Sequence, residues 1–255
     1  MTVPTPEALA ELAPTELEPR AREAYGRLAH LLVSLPPPPA TLIDNPAGLR
    51  DRVLRAAHAG DPDVFDDAFN ALYAHLAIRP EAYTTAERAR VDAAGGYWAH
   101  AGGISAVLTA ERWTTPSTVV IDLGAGTGLQ GLLLQRLAPH RLTVQVEISR
   151  RLVSIGRVLQ RWLGVPPQRV AWAVADVTDV RVRGIDLVYL YRPVRPDHHV
   201  GERFYERLAA DLRADPTAGT VVSVADALAP RLAPEFEVVS DTGQVTCLRR
   251  VTTGA

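Results

Sequence analysis

The sequence contains no lysine. All 27 basic residues other than histidine are arginine, so a lysine Schiff base and a lysine general base are both excluded. Cysteine is almost absent as well, because Cys247 is the only one; it can form neither an intramolecular disulfide nor a thiolate metal cluster, and it favours a reducing compartment. His198 and His199 are adjacent and lack the spacing of ligands that share a helical face, so we predict no metal site.

Long apolar runs and an excess of positive charge are also missing. No window is long and apolar enough to span a bilayer, and the first residues lack the basic and apolar regions of a signal peptide. We therefore expect a cytoplasmic protein that does not enter a membrane. The formal net charge of −2 lacks the basic excess of nucleic-acid-binding proteins, and we expect no nucleic-acid partner. A hydrophobic content of 47% is typical of a soluble globular protein.

The first part of the chain has a helical pattern with no convincing strand. Apolar residues recur at helical spacing after Tyr25, and Asp61 followed by Pro62 is typical of a helix start. We predict two regions: an N-terminal helical region over residues 1–112, which caps the second and shapes its substrate pocket, and a second domain over residues 113–255.

A glycine-rich turn organises the second region. The apolar run from Thr118 ends in Asp122 and passes into alternating glycines at residues 124–128, followed by a leucine-rich segment. This pattern predicts a strand, a tight loop and a helix. Glycines let a backbone approach a ligand, and the next helix offers free N–H groups and a positive dipole end, so we expect a nucleotide-like ligand. The turn alone does not select the cofactor, because residues 126–131 also satisfy the dinucleotide fingerprint G-x-G-x-x-G.

Three later apolar runs supply further candidate site residues where each predicted strand ends. The second run ends in Glu147, whose carboxylate suits a ribose diol, and the third ends in Asp176. The fourth run ends at Tyr191, Arg192 and Pro193. Glu147 alone would suit an NAD-dependent enzyme equally well, whereas Asp176 and the residues after the fourth run favour a different cofactor.

With these residues, the chain resembles the class I S-adenosylmethionine-dependent methyltransferases from roughly Thr118 to the C-terminus. The resemblance implies S-adenosyl-L-methionine as cofactor and S-adenosyl-L-homocysteine as product. It also implies an α/β fold with a Rossmann-like, mostly parallel seven-stranded sheet that has an antiparallel C-terminal hairpin strand, here preceded by the helical region. The apolar runs at residues 236–240 and 245–249 are separated by four residues only, which predicts this hairpin.

The resemblance also assigns roles around the cofactor. Asp122 and the glycine loop would hold the methionine end, Glu147 would bind the ribose hydroxyls, and Asp176 would bind the adenine amino group. Asp176 as a helix cap or turn residue is the alternative. The implied cofactor-binding residues are Asp122, Gly124, Ala125, Gly126, Gly128, Glu147, Ile148, Asp176 and Val177, the last of these lying against the adenine ring.

Paired glycines flank aromatic residues just ahead of the first strand, around Tyr97 and His100. Related enzymes often close this region over the methyl donor. We therefore predict that Tyr97 or His100 lines the site, and we count Tyr97 among the cofactor-binding residues. The alternative is a flexible join whose aromatic side chains pack on the sheet.

The acceptor is expected beyond the fourth strand, near Tyr191, Arg192 and His198. In amino-group methyltransferases of this superfamily the matching position is often Asn or Asp, whose oxygen accepts hydrogen bonds from the amine. Arg192 has donors only, which puts methylation of nucleic-acid base amines in doubt and suits an anionic group such as a carboxylate. A structural ion pair is the alternative for Arg192. His198 is a candidate general base near neutral pH, with a solvated loop histidine as its alternative.

The sequence therefore predicts a methyltransferase that acts on an N or O atom of a small-molecule acceptor, with Tyr191, Arg192 and His198 as catalytic residues. Three alternatives stay open: an enzyme whose acceptor is a protein or peptide side chain, an inactive scaffold subunit that binds the donor, and a nicotinamide oxidoreductase. A homodimer is compatible with the sequence.

Overall fold

The structure is a computed structural model that describes residues 2–42, 46–97, 103–225 and 227–251. Its helices are α1 (Pro6–Glu11), α2 (Pro19–Ser34), α3 (Pro46–Ala59), α4 (Pro62–Ala77), α5 (Thr85–Ala93), α6 (Ile104–Glu111), α7 (Leu129–Leu137), α8 (Arg150–Trp162), α9 (His199–Ala214) and α10 (Ala229–Leu232). Its strands are β1 (Val119–Leu123), β2 (Leu142–Glu147), β3 (Val170–Val174), β4 (Leu187–Tyr191), β5 (Thr220–Val224), β6 (Phe236–Asp241) and β7 (Val245–Arg250). Among the helices in these ranges, none combines the length and apolar character needed to cross a membrane.

The strands form one seven-stranded sheet in the order β3-β2-β1-β4-β5-β7-β6. Strands β1 to β5 are parallel, whereas β7 runs antiparallel to β5 and pairs with β6 as a hairpin. The predicted α/β fold, with its antiparallel C-terminal hairpin strand and its preceding helices, is confirmed. Because the parallel strands end at one edge of the sheet, the loops that follow β1 to β4 converge there.

Helices cover both faces of the sheet. Side chains alternate between the two faces along each strand, so each face presents its own set of residues for packing. On one face, α9 and α10 pack on residues such as Val188 and Val221. On the other, the N-terminal helices share one apolar core with α7, α8 and sheet residues such as Val120 and Val222. The boundary predicted between residues 112 and 113 stays a prediction, but the helical region and the sheet are packed through this common core.

Polar bonds fix the N-terminal helices to the rest of the chain. The Thr127 hydroxyl, in the glycine loop, donates to the carbonyl of Leu76 near the end of α4 at 3.1 Å. At the C-terminal end of α8, the Trp162 indole donates to the carbonyl of Pro36, which follows α2, at 2.9 Å. The bond to Leu76 brings the C-terminal end of α4 directly over the glycine loop.

The helix start predicted at Asp61 is confirmed, and a second side-chain cap lies at Ser149. The Asp61 side chain accepts hydrogen bonds from the first turn of α4, and Ser149 accepts one from Leu152 at the start of α8. These bonds satisfy backbone N–H groups that a helix leaves without an internal partner. The cap at Ser149 matters for the site because it begins α8 two residues after Glu147.

Small residues allow α8 to approach the glycine loop. A Cβ on Gly156 would collide with the ring of Trp172 and lie 2.7 Å from the carbonyl oxygen of Thr127. The same ring would collide with a Cβ on Gly128. The Trp172 indole is held by Gln160, to which it donates at 2.9 Å. The ring therefore fills the space between α8 and the loop, and glycine is the residue that leaves this space open.

Gly156→Ala is expected to destabilise the protein, because the added methyl group overpacks this contact at a cost of about 1–3 kcal/mol. Gly219→Ala is the matched control, since its Cβ would have no neighbour closer than 3.7 Å. Thermal unfolding should show a melting temperature lowered by several degrees in the first variant and nearly unchanged in the second. Equal melting temperatures for both variants would contradict this packing of α8 against the glycine loop.

Candidate active site

A cavity lies at the carboxyl ends of β1 to β4, where the loops after these strands meet the end of α4. Most of the residues predicted from the sequence line it: Tyr97, Asp122, Gly124, Ala125, Gly126, Glu147, Ile148, Asp176, Val177 and Tyr191. Gly128, Arg192 and His198 do not. The acidic strand ends and the glycine loop thus face one space.

The glycine loop needs glycine for its backbone conformation. Gly124, Gly126 and Gly128 have φ values of 82°, 58° and 69°, in the left-handed region that other residues rarely adopt. A Cβ on Gly126 would meet no atom of the described chain within 4 Å, although this residue lines the cavity. Gly126 therefore leaves its backbone open to a ligand, whereas Gly128 serves the packing against Trp172.

Glu147 is buried at the end of β2 and is held on both oxygens. Its Oε2 accepts a hydrogen bond from the Gly126 N–H at 2.8 Å, and its Oε1 accepts one from the Ser149 N–H at 2.9 Å. The Tyr83 hydroxyl also donates to this carboxylate. Burial raises the pKa of Glu147 to about 7, although these hydrogen bonds to the ionised form oppose the shift. The side chain is fixed in place and titrates near neutral pH.

Asp122 lies at the floor of the cavity, 2% exposed. Burial is the main cause that raises the pKa of Asp122 to about 8, and the negative charge of Glu147 adds to it. Among the described residues, its Oδ2 has no hydrogen-bond partner. A buried carboxyl oxygen of this kind suits a ligand that brings a positive charge or a hydrogen-bond donor.

Asp176 follows β3 and caps a short 3-10 turn, Val177–Asp179. Its Oδ1 accepts hydrogen bonds from the N–H and the hydroxyl of Thr178 at 2.9 and 2.7 Å, and its Oδ2 lies 3.5 Å from the Arg90 guanidinium. The cap predicted as the alternative is therefore present. It does not remove Asp176 from the site, because the residue also lines the cavity.

Tyr97 closes the cavity from the side of the N-terminal region. Residues 95–97 pair with residues 193–195 through an isolated antiparallel bridge and two flanking backbone hydrogen bonds of 3.3 and 2.8 Å. This pairing ties the segment ahead of β1 to the loop after β4 and places Tyr97 in the cavity wall. The prediction for His100 falls outside the described residues.

Arg192 follows β4 with a left-handed backbone, φ 35°. Its guanidinium lies over the ring of Tyr97, 5.7 Å from the ring centroid, and Arg195 lies over the same ring at 5.3 Å. Among the described residues, Arg192 forms no ion pair with an acid, and its buried Nε has no hydrogen-bond partner. Arg192 therefore stands behind Tyr97 rather than in the cavity wall.

His198 is the N-cap of α9, and its Nδ1 accepts a long hydrogen bond, 3.4 Å, from the Val200 N–H. The ring packs against Gly95, where a Cβ would lie 2.6 Å from its Cγ. A neutral imidazole that accepts at Nδ1 carries its proton on Nε2 and has no second acceptor nitrogen. His198 is not among the residues that line the cavity, and its role as a general base stays a prediction.

The structure adds cavity residues that the sequence did not reveal: Arg79, Tyr83, Gln130 and Tyr189. In the sequence, Arg79 stands directly before Pro80, and Tyr189 stands within an apolar run that is typical of a strand. The register of β1 and β4 pairs Tyr189 with Asp122, so an alignment of the two strands was the signal that would have identified Tyr189. No comparable signal exists for Arg79 and Tyr83, which reach the cavity through the packing of the N-terminal helices.

No protein-family model matches the chain, and no curated protein sequence matches it. The chain is similar to a solved RNA methyltransferase from Salinibacter ruber in complex with S-adenosyl-L-homocysteine, with 22% sequence identity and a TM-score of 0.46 over 59% of this chain and 91% of that one. It is also similar to magnesium protoporphyrin IX methyltransferase from Synechocystis PCC 6803 with bound SAM, with 14% identity and a TM-score of 0.45 over 58% and 79% of the two chains.

A third solved structure with a similar fold is the ribosomal protein L11 methylase from Lactobacillus delbrueckii subsp. bulgaricus, with 18% identity and a TM-score of 0.45 over 59% of this chain and 81% of that one. At these identities the likeness concerns the fold alone, and the three proteins differ in the acceptor that their names give, so it assigns no acceptor to this chain.

The two buried carboxyl groups are expected to make the ligand-free protein less stable as the pH rises. Because the folded-state pKa values of Glu147 and Asp122, about 7 and 8, lie above the ordinary values of 4.5 and 3.8, the folded state binds more protons between these limits. The stabilisation is complete below pH 4 and is lost as the pH rises through 7 and 8. Each group should lower the free energy of unfolding by about 1.4 kcal/mol per pH unit in this window.

Urea unfolding between pH 5 and pH 8 measures this slope. Asp122→Asn should reduce it, whereas Glu237→Gln, which changes an exposed carboxyl outside the cavity, should not. Identical slopes in wild type and Asp122→Asn would contradict the assignment.

Proposed function

We propose that this chain is an S-adenosylmethionine-dependent methyltransferase that transfers a methyl group to a small-molecule acceptor. The observation that carries the proposal is the convergence of three acidic strand ends, Asp122, Glu147 and Asp176, on one cavity beside the open backbone of Gly126. A nicotinamide cofactor would need one such carboxylate for its ribose and leaves the other two without a role.

The residues present fit the donor from end to end. Glu147 is proposed to bind the ribose hydroxyls, and Asp176 with Val177 the adenine. The buried Oδ2 of Asp122, which lacks a partner in the described chain, is proposed to accept from the ammonium group of the methionine end. When bound, the donor supplies an electrophilic methyl group on a sulfonium.

The charges of the cavity support the same assignment. Among the described residues that line it, Arg79 alone carries a permanent positive charge, and its side chain is 14% exposed. The donor carries two positive groups and one carboxylate, which complements a site with several acids and one guanidinium. We therefore assign Arg79 to the carboxylate of the donor.

Positioning supplies the catalytic effect in this proposal. Methyl transfer needs in-line approach of the acceptor atom, and orientation in a bound pair is worth on the order of 7–11 kcal/mol in the best cases. Tyr191, at the end of β4, is proposed to contact the acceptor. Arg192, which stands behind Tyr97, and His198, which caps α9, are proposed to position the loop after β4 rather than to contact the acceptor.

A small acceptor is favoured by the enclosure of the cavity. The backbone pairing of residues 95–97 with residues 193–195 joins the N-terminal region to the loop after β4, and Tyr97 forms part of the wall. An acceptor must fit between these segments to reach the floor. A side chain of a macromolecular acceptor would have to be long and narrow to reach the floor through the same space.

Donor binding in the micromolar range is expected, measured by calorimetry with S-adenosyl-L-homocysteine. Gly126→Val should abolish it, because a branched side chain at φ 58° is strained and would project into the donor site. Gly60→Val is the matched control, since Gly60 also has a left-handed backbone, φ 71°, with open space around its Cβ, but lies at the end of α3. Glu147→Ala should also lose binding.

Methyl transfer is tested by incubating the protein with isotopically labelled donor and a fractionated extract of the source organism. Labelled methyl should appear in the low-mass fraction by mass spectrometry. Label on a macromolecule would favour the protein or peptide acceptor, and donor binding without transfer to any fraction would favour the inactive scaffold. Undetectable donor binding by the wild type would refute the proposal.

Arg79→Gln is expected to weaken the binding of S-adenosyl-L-homocysteine by about ten- to a hundredfold, because it removes a charged hydrogen bond to the ligand carboxylate. The same variant should bind 5′-methylthioadenosine, which lacks the amino-acid end, as well as the wild type does. Arg55→Gln, on the exposed face of α3, is the control. A similar loss for both ligands would show that Arg79 supports the fold of the site rather than the carboxylate.

A further inference from the structure

Tyr189 is a buried polar residue with an unexplained hydroxyl. It pairs with Asp122 across the parallel strands β4 and β1, so the two side chains lie side by side on one face of the sheet. Both residues line the cavity and are 4% and 2% exposed. Among the described residues, neither the Tyr189 hydroxyl nor Asp122 Oδ2 has a hydrogen-bond partner.

A buried hydroxyl without a partner destabilises a fold. Its presence at a cavity wall therefore points to a ligand that supplies the missing hydrogen-bond partner. Burial raises the pKa of Tyr189 well above its usual value, and nearby Tyr73 and Asp122 add to the effect. The phenol therefore keeps its proton. It can donate or accept a hydrogen bond, but it does not serve as a base.

None of the contacts proposed for the methyl donor involves Tyr189. In the proposed function, Glu147, Asp176, Asp122 and Arg79 account for the ribose, the adenine and both charged groups of the methionine end. Tyr189 lies on the strand whose following loop borders the acceptor site, and Tyr191, two residues on, shares its face of the strand and lines the cavity. The acceptor is the ligand that remains for this hydroxyl.

The same assignment restricts the chemistry of the acceptor. The acidic residues among the described lining residues are taken by the donor, and no histidine is among those lining residues. A nucleophile that must first lose a proton, such as an alcohol, would find no base there. A carboxylate nucleophile would be repelled by the acids at the cavity floor.

We propose that the Tyr189 hydroxyl positions a neutral primary or secondary amine by accepting a hydrogen bond from its N–H. This inference rests on the proposed function. The bond leaves the nitrogen lone pair directed at the methyl group. That lone pair forms the new N–C bond while the electron pair of the C–S bond returns to sulfur, and the methylated ammonium loses its proton to water. Amines without an N–H are poor acceptors in this arrangement.

Calorimetry with the protein saturated with S-adenosyl-L-homocysteine tests the N–H contact. The probes are N-methylaniline, N,N-dimethylaniline and benzoate, the first two being neutral amines that differ in the N–H. The wild type should prefer N-methylaniline by up to about tenfold, the effect of one hydrogen bond. Tyr189→Phe should lose this preference and keep the affinity for S-adenosyl-L-homocysteine.

The stability of the variants gives a second readout. Tyr189→Phe should have a melting temperature equal to or above that of the wild type, because it removes a buried hydroxyl that has no partner in the described chain. Tyr25→Phe is the matched control, since the hydroxyl of the buried Tyr25 donates to Asp66 at 2.6 Å and neither residue lines the cavity. That variant should melt at a lower temperature and keep the N–H preference.

The inference would be overturned if the wild type showed no preference for the amine with an N–H, or bound neither amine. It would also be overturned if Tyr189→Phe kept the same preference, or if benzoate bound more tightly than either amine. A melting temperature lowered in Tyr189→Phe as much as in Tyr25→Phe would also count against it. Failure of the proposed function is a different result, namely no binding of S-adenosyl-L-homocysteine by the wild type.

Discussion

The site depends on the hydrogen bonds that hold the buried carboxylate of Glu147. One oxygen accepts from Gly126 in the loop after β1, and the other accepts from Ser149 at the start of α8. A carboxyl group in a dry environment is costly unless its oxygens are satisfied, so this side chain binds two loops from neighbouring strands into one rigid floor. The left-handed backbone of the loop, the cap at Ser149 and the close approach of α8 through Gly156 all serve this arrangement.

The N-terminal helices are part of the same site rather than an appended layer. The Thr127 hydroxyl donates to Leu76 near the end of α4, and the residues just after that helix, among them Arg79 and Tyr83, line the cavity. The helices and the sheet face beneath them share one apolar core, which fixes where these side chains point. The chemistry of the cavity is therefore set jointly: the sheet supplies the acids, and the helical region supplies the guanidinium and a phenol.

The sheet and the acidic residues at its edge were predictable from the sequence because each is encoded locally. An apolar run, a following acid and a turn residue specify a strand end, and parallel strands bring such ends together; Asp122 and Glu147 were found in this way. Arg79 was not, because its place depends on the packing of α4 across a long stretch of chain, which no local pattern reports. The use of His198 as the cap of α9 was not predictable for a related reason, because it is visible only once the helix start is known.

The hydroxyl of Tyr83 is bonded to the carboxylate that we assign to the ribose diol. A sugar that binds Glu147 must therefore displace a competitor that belongs to the same polypeptide and is present at a high effective concentration. This tyrosine belongs to the short connection between α4 and α5, so under the proposed function a bound sugar and this connection compete for the same carboxylate. The affinity for the donor would then include the cost of breaking this intramolecular hydrogen bond.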